Sequence, residues 1–432
     1  MREAKSAADP QAAGRTGQEL HGAGLPYAGI RVVDFTRLLP GGWCTQMLAD
    51  CGADVVKVET PHGGDYSRFN PPDFKHTGVY YNSVNRNKRS LALDLQQSAS
   101  RPVLRRLLET ADVVVEAYRT GVPVKLGMDY ETARGLNPGV IYCSITGFGQ
   151  DGPLADQAGH DLNIQGLTGL MTGGMRPGEL PRSPNFQAAD YAGAALACMG
   201  IMAALAARAQ TGRGRYLDIS MLDSLFSMCN IVATSALSRL GGGTGEPAMQ
   251  PWGNNPRYAV YAARDGLPVS VSLLERKFWG LFCEAIGRRD LYNRDEESRD
   301  RHTDHGGRAA LYRAAIAEYC ASHPREELVR RMHAKGIPVF PVYTPEEALA
   351  SPAVRERGMV ETMPHPLEGE IPQIGNPLTR AGLARTDQCP APALGADTRH
   401  VLDELGFTEA QCRELHERGA FGHETTVRNE AT

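Results

Sequence analysis

The sequence predicts an α/β fold whose parallel sheet is covered by helices on both faces. A glycine turn at 38–43 and a short helix at 44–50 join the first two apolar segments, and an amphipathic helix at 99–110 precedes the third. Short apolar strands that alternate with helices are typical of a sheet buried on both faces. The predicted strands are 30–35, 53–59, 113–119 and 140–145.

The length and the order of the segments predict two domains. The chain has 432 residues, which is more than one compact core usually holds. A hairpin and an aromatic helix between 256 and 339 have α+β character, whereas the segments on both sides have α/β character. We therefore predict a leader at 1–26, a large domain formed by 27–225 and 341–410, a linker with a small α+β domain at 226–340, and a tail at 411–432.

Composition argues against several kinds of partner. The formal net charge is −4, which favours neither nucleic acid nor an anionic membrane. The longest apolar run, 188–207, is interrupted by Asp190 and glycines, so a buried helix is the better interpretation than a membrane span. Nine cysteines lack Cys-x-x-Cys pairs or histidine spacing, which argues against a disulfide framework and a zinc site. We expect a cytoplasmic protein without a metal or redox cofactor.

Two polar residues stand on loops that lead into apolar segments. His160 lies in a glycine-rich loop after the strand at 140–145, and Asp190 stands at the start of a long apolar helix. Loops held by a rigid scaffold are where catalytic groups concentrate. Structural roles are equally open, since aspartate is a favoured helix N-cap and a loop histidine can be hydrogen-bonded within its loop.

Two further stretches are candidate ligand contacts. The basic turn at 85–94 is either a solvated loop or a phosphate contact, because arginine and lysine pair well with phosphate. Glu116, Tyr118 and Arg119 stand at the end of the third strand, and ligands of open α/β sheets bind at that end.

Several long motifs occur in the order found in one family. They are GIRVVDFTRLLPGGWCTQMLADCGADVVKVE, NRNKRSLALDL, EAYRTGV, ITGFGQDGPLADQAGHDLN, TGRGRYLDISMLDS and LLERKFW. The chain resembles the family III coenzyme A (CoA) transferases and the α-methylacyl-CoA racemases that share their fold. The resemblance implies a Rossmann-like large domain formed by both chain ends, a small central domain, and a homodimer of two interlocked rings.

The resemblance implies one of two chemistries. In the transferases the aspartate matched by Asp190 attacks the acyl-CoA thioester as a nucleophile. In the racemases this aspartate and the histidine matched by His160 are two acid/base groups, which remove and return the proton α to the thioester through an enolate. Another acyl-CoA isomerase or lyase and a non-catalytic acyl-CoA binder are further alternatives.

The motifs favour the racemase. The segment 159–163, Gly-His-Asp-Leu-Asn, and the segment 274–279 are similar to racemase motifs. Two features favour a transferase instead. Ala262 stands where some racemases carry an active-site glutamate, and the glycine run at 241–245 is similar to the mobile glycine loop of transferases. A plain interdomain linker explains this run equally well.

The resemblance also implies the substrate contacts. An acyl-CoA substrate, with coenzyme A as part of it, would lie along the large domain, and backbone N–H groups of Gly159 to Asp161 or of the Asp190 helix would stabilise the enolate. Thr60 replaces an arginine common in the family, so Arg86 or Lys57 would have to replace its phosphate contact. Leu38, Leu39 and Trp43 would face an acyl chain that the sequence does not define. The implied CoA contacts are Asn87, Lys88, Arg89, Ser90, Leu91, Glu116, Ala117, Tyr118 and Lys125.

Overall fold

Six strands form one parallel sheet in the computed structural model, which describes residues 24–173, 175, 178–250 and 254–422. Their order is β3-β2-β1-β4-β5-β6, and every neighbouring pair is parallel. The predicted α/β class with a parallel sheet is therefore confirmed. The strands are β1 (Arg31–Asp34), β2 (Asp54–Glu59), β3 (Lys88–Ala92), β4 (Val113–Glu116), β5 (Ile141–Thr146) and β6 (Arg215–Ser220).

The remaining strands are antiparallel. Strands β7 (Tyr258–Ala262), β8 (Pro268–Ser272) and β9 (Val339–Pro341) form one sheet, and β10 (Val360–His365) pairs with β11 (Gly369–Ile374). The helices, in chain order, are α1 (Leu38–Asp50), α2 (Val79–Val84), α3 (Arg101–Thr110), α4 (Val122–Leu126), α5 (Tyr130–Leu136), α6 (Asp161–Leu167), α7 (Ala188–Thr211), α8 (Met221–Ser227), α9 (Thr234–Leu240), α10 (Arg276–Ala285), α11 (Ala309–Ala321), α12 (Arg325–His333), α13 (Pro345–Ala350), α14 (Pro352–Arg355), α15 (Thr398–Glu404) and α16 (Glu409–Glu417).

Helix α1 corrects the predicted turn at 38–43, because the helix already begins at Leu38. Pro40 lies in its first turn, where a missing N–H group costs nothing. Gly41 permits close packing, since a Cβ atom at this position would lie 2.2 Å from the Cβ atom of Thr36. Gly41 therefore serves contact between the helix and the strand end, and Gly42 faces Val84 of α2.

The core of the large sheet is apolar on both faces. Val33, Val56 and Val114 on three neighbouring strands are at most 1% exposed. Helix α3 packs on them with Leu104 and Leu107, and the C-terminal helices α15 and α16 belong to the same core. Burial on both faces explains why these strands are continuous apolar runs in the sequence.

The chain divides into two compact units. One contains the residues up to Gln165, Phe186–Leu225 and the residues from Glu356 on, so the chain returns to it later than the predicted position 341. The other contains Gly166–Asn185 and Phe226–Arg355. Its core is formed by the β7–β9 sheet and helices α10 to α12, around the fully buried Trp279 and Phe282.

Helix α7 is the longest helix of the described residues. By length and composition alone it could cross a membrane, with a mean hydropathy of 1.6 over its most apolar window, of which 33% is buried. The core helix of a soluble protein passes the same test. Alanines at 189, 194 and 197 are fully buried, and the helix packs against α1, β5 and β6.

Candidate active site

A cavity of about 540 Å³, the central cavity, opens where strands β1, β4 and β5 end. This carboxyl edge is where open α/β sheets bind ligands. The cavity brings together His160 and Asp190, which are far apart in the sequence. Its walls are Arg37, Leu38, Pro40, Asn70, Tyr80, residues 117–120, 145–148, 157–160, Ala155, Asp190 and Met221.

His160 is exposed and stands immediately before helix α6. Its backbone N–H group donates to Oδ1 of Asn163 (3.1 Å), and its carbonyl oxygen accepts from the N–H groups of Asn163 and Ile164. Within the described part of the chain, no residue forms a hydrogen bond with its imidazole ring. The backbone is thus held in place while the ring is available to a substrate, unlike that of a histidine bonded within its loop.

Asp190 is half-buried in the first turn of helix α7. It is not the N-cap, because Gln187 occupies that position and makes no side-chain capping bond. Burial, and then the nearby charge of Asp161, raises the pKa of Asp190 to about 7. The Asp190 carboxyl group can therefore exchange a proton near neutral pH.

Asp161 connects the histidine loop to the aspartate helix. Its Oδ1 atom accepts from the N–H groups of Ala189 (2.7 Å) and Asp190 (3.3 Å), and its Oδ2 atom accepts from the side chain of Gln165 (2.6 Å). The Asp161 carboxylate therefore caps α7 from a distance. The N–H donors at the start of α7 are engaged within the protein, which corrects their predicted role in binding the enolate.

Tyr80 was missed by the sequence analysis. It lines the central cavity, and burial, followed by the charges of Asp190 and Asp65, raises the pKa of its phenol. A neutral phenol close to the Asp190 carboxyl group is a hydrogen-bond donor. It lies in α2, outside any motif, so only the fold places it here.

A second depression of about 430 Å³, the flanking groove, shares Arg37 and Tyr118 with the central cavity. Arg37 lies over the rings of Tyr66 (5.2 Å) and Tyr118 (5.6 Å). No carboxylate of the described residues forms an ion pair with it. The groove is lined by Thr36, Arg37, residues 58–60, His62, residues 64–66, 93–96, Tyr118, Val122 and Leu126.

The structure corrects the predicted CoA contacts at 87–91. These residues are at most 1% exposed, and they line neither the cavity nor the groove. Lys88 donates to Asp34 (3.1 Å), and Arg89 pairs with Asp54 (2.6 Å) and Glu404 (2.8 Å). The side chains of Asn87 and Ser90 bond to Asp50 and Glu59, and Leu91 belongs to the core. The residues just beyond them, 93–96, reach the groove instead.

The residues named as replacements at Thr60 are also internal. Arg86 pairs with Asp50 (2.6 Å) and Lys57 pairs with Asp65 (2.9 Å), and both cations are buried. Neither can contact a phosphate in this arrangement. Among the described residues, Arg37, which lines the same groove as Thr60, and the predicted contact Arg119, which lines the central cavity, form no ion pair.

Other predicted contacts are divided between surface and interior. Ala117 and Tyr118 line the central cavity, whereas Glu116 is 1% exposed and accepts from the N–H group of Tyr118 (2.7 Å). Burial raises the pKa of Glu116 to about 7. Lys125 is exposed and lines neither site, although its neighbour Leu126 lines the groove.

The residues predicted to face an acyl chain are also divided between the wall of the central cavity and other parts of the protein. Leu38 lines the central cavity, as does its neighbour Pro40. Leu39 is 6% exposed and belongs to the interior. Trp43 packs edge-on against Tyr191 (5.8 Å) and does not reach the cavity. The reason is the helical conformation of 38–50, because Leu39 and Trp43 are four residues apart and so share one face of the helix.

A cavity at the carboxyl edge of a parallel sheet, with an imidazole and a perturbed carboxyl group in its walls, has the form of an enzyme active site. The chain belongs to CoA-transferase family III, whose family model matches residues 27–398. This confirms the resemblance, and membership implies that the protein is an enzyme.

The relatives include both chemistries. The chain is 33% identical over 394 residues to the succinate–glutarate CoA-transferase of Agrobacterium fabrum, covering 89% of this chain and 96% of that protein. It is also 33% identical over 399 residues to the α-methylacyl-CoA racemase of Mus musculus, covering 90% and 95%. The solved structure of a CAIB/BAIF family protein from Brucella suis matches with a TM-score of 0.74 at 29% identity, covering 88% of this chain and 99% of that one.

Proposed function

We propose that the protein racemises 2-methylacyl-CoA thioesters by 1,1-proton transfer. The observation that carries this proposal is that His160 and Asp190 line one cavity from two different segments. Inversion at a carbon requires one group to remove the α-proton and another to return a proton to the opposite face. An imidazole on a loop and a carboxyl group in the first turn of a helix are suited to these two tasks.

The electrostatics of Asp190 support this role. A base for one enantiomer must be the acid for the other, so it has to hold and release its proton near neutral pH. Burial and the charge of Asp161 bring the pKa of Asp190 to about 7. An exposed aspartate with its usual pKa would be a poor acid at that pH.

The enolate oxygen formed by removal of the α-proton requires hydrogen-bond donors. The phenol of Tyr80 lines the same cavity, and burial keeps it neutral by raising its pKa. The loop N–H group of Gly159 remains a second candidate donor. The N–H groups of Ala189 and Asp190 are excluded, because they donate to Asp161.

The flanking groove is the proposed site for the nucleotide end of coenzyme A. It is contiguous with the central cavity through Arg37 and Tyr118. A guanidinium group without a carboxylate partner is suited to a phosphate. The thioester would then lie in the central cavity. No metal or redox group takes part in the proposed reaction.

The alternative is transfer of CoA between carboxylic acids, and the transferases among the relatives favour it. The Asp190 carboxylate would attack the thioester carbonyl, and CoA would leave as a thiolate to give an acyl anhydride. The thiolate would then attack the aspartyl carbonyl and release the free acid, leaving an aspartyl-CoA thioester. The acceptor acid would take CoA from it by the same two steps in reverse.

Intact-mass measurement separates the two chemistries. The protein is incubated with a single enantiomer of a 2-methylacyl-CoA, with and without a free carboxylic acid. Racemisation without a covalent adduct is expected. A CoA adduct on Asp190, with CoA transferred to the added acid and no loss of optical purity, would instead establish the transferase.

A further inference from the structure

The turn between β1 and α1 separates the two parts of the proposed substrate site. Thr36 lines the flanking groove, Leu38 lines the central cavity, and Arg37 lines both. Leu38 has a backbone φ of +60°, in the left-handed region that a leucine rarely adopts. Such a conformation persists only where the surroundings enforce it.

Two buried side chains hold the ends of this turn. Lys57 Nζ donates to the carbonyl oxygen of Thr36 (2.9 Å). The N–H group of Leu38 donates to the carboxylate of Asp65, at 3.1 Å and 3.3 Å from its two oxygens. Lys57 and Asp65 form an ion pair at 2.9 Å, and neither side chain has any exposed surface. The pair therefore bridges the turn beneath Arg37.

Asp65 also positions the ring beside Arg37. Its Oδ1 atom accepts from the N–H group (2.9 Å) and the hydroxyl (2.8 Å) of Ser67. Asp65 is thereby the N-cap of the short helix Tyr66–Phe69. Tyr66 follows Asp65 directly, and its hydroxyl accepts from Arg37 (3.2 Å). One carboxylate thus fixes both the backbone that carries the guanidinium group and an aromatic ring that flanks it.

We propose that Lys57 and Asp65 are positioning residues that hold Arg37 in place to bind a phosphate of coenzyme A. This rests on the proposed function only in that the substrate is a CoA thioester. Asp65 borders the flanking groove, but the side chains of Asp65 and Lys57 have no exposed surface, so both act on Arg37 through the turn. The Lys57–Asp65 pair belongs to a larger group of buried charges. Oδ2 of Asp34 lies 3.9 Å from Nζ of Lys57 and 3.1 Å from Nζ of Lys88.

The test measures CoA binding to the full-length protein by calorimetry. Asp65→Ala removes the acceptor of the Leu38 N–H group, so the turn relaxes, and the Kd for CoA is expected to rise about tenfold, as for loss of one charge-assisted interaction. Adding Leu38→Gly should recover most of this loss, because glycine adopts a positive φ without strain. Asp129→Ala is the matched control, since Asp129 caps the exposed helix α5 in the same way, and its Kd should stay within about twofold of the wild type.

A purely structural role for Asp65 predicts a different result. Asp65→Ala would then lower the melting temperature and leave the Kd of the folded protein unchanged, which would overturn the proposal. A weakened Kd that Leu38→Gly does not restore would overturn it as well. Failure of the proposed function is distinguishable, because the wild type would then bind CoA without racemising the thioester.

Discussion

Asp161 accepts a hydrogen bond from the backbone N–H group of Asp190 (3.3 Å), and its charge also raises the pKa of the Asp190 carboxyl group. One residue therefore fixes the position of the aspartate and adjusts its acidity. Because Asp161 directly follows His160, the same residue ties the two proposed acid/base groups to each other. This relationship leads to the first prediction.

Asp161→Asn is expected to move the acid limb of the pH profile of kcat/KM to lower pH. Asparagine keeps an acceptor oxygen for the start of α7 but removes the like charge, so the pKa of Asp190 falls. It stays above the usual aspartate range, because burial is the larger cause of the shift. The profile is measured from pH 5 to 9. Asp156→Asn, an exposed aspartate of the same loop, should leave the limb in place, and an unchanged limb in Asp161→Asn would contradict the coupling.

His160→Gln and Asp190→Asn are each expected to slow racemisation by at least about 100-fold, the usual contribution of a general acid or base. Both substitutions preserve the approximate shape of the side chain, so the CoA Kd should change little. Chiral analysis of the recovered thioester measures the rate. Full racemisation activity in His160→Gln would show that the imidazole takes no part in the reaction.

Glu116→Gln is expected to change the pH dependence of stability. Burial raises the pKa of Glu116 in the folded protein to about 7, from 4.5. The folded state therefore holds this proton more tightly, and the wild type loses stability as pH rises from about 4.5 to about 7. The variant lacks this loss, so its free energy of unfolding relative to the wild type should rise by about 3 kcal/mol over that range, since a tenfold change in an ionisation constant is worth about 1.4 kcal/mol.

Urea unfolding at several pH values measures this difference. Asp190 contributes a slope of the same sign, but it is present in both proteins and cancels in the comparison. Glu131→Gln on the surface of α5 is the control, and its difference from the wild type should not depend on pH. If the free energies of unfolding of Glu116→Gln and the wild type changed with pH in parallel, Glu116 would keep its usual pKa in the folded protein.

Arg89→Met is expected to destabilise the protein by about 3 kcal/mol, the lower end of the cost of breaking a buried ion pair, because the buried carboxylate of Asp54 loses Arg89 (2.6 Å) and keeps Arg31 (3.1 Å) as a partner. The folded fraction should bind CoA normally, since Arg89 lines neither the groove nor the cavity. Urea unfolding and calorimetry give the two quantities. Arg106→Met, on the exposed face of α3, is the matched control without a stability effect. Weaker CoA binding with unchanged stability would instead support the phosphate contact of Arg89 that the sequence predicted.

The sequence was sufficient for four of the six strands of the sheet and for naming His160 and Asp190, which line one cavity, as candidate site residues. Alternating apolar strands and helices have a clear local signature, and His160 and Asp190 stand out because each is a polar group next to an apolar segment. The boundary of α1 was missed, since Pro40 and two glycines favour a turn locally. Only the contacts of Gly41 with Thr36 show why they are helical.

The substrate contacts were harder to predict because charge does not reveal burial. Lys88 and Arg89 look like phosphate ligands in the sequence, yet their partners Asp34, Asp54 and Glu404 are distant in the chain. Arg37 has no carboxylate partner in the part of the chain that the structure describes, which is visible only after folding. The useful local signal was position, because the residues just after a parallel strand reach the binding edge.

The most direct test of the central claim is incubation of the protein with one enantiomer of a 2-methylacyl-CoA in deuterated water, without an acceptor acid. Two-base proton transfer predicts that deuterium enters the α-position while optical purity is lost, and that His160→Gln and Asp190→Asn stop both. No deuterium at the α-position, together with CoA transfer once a free acid is added, would contradict racemisation and make Asp190 a nucleophile.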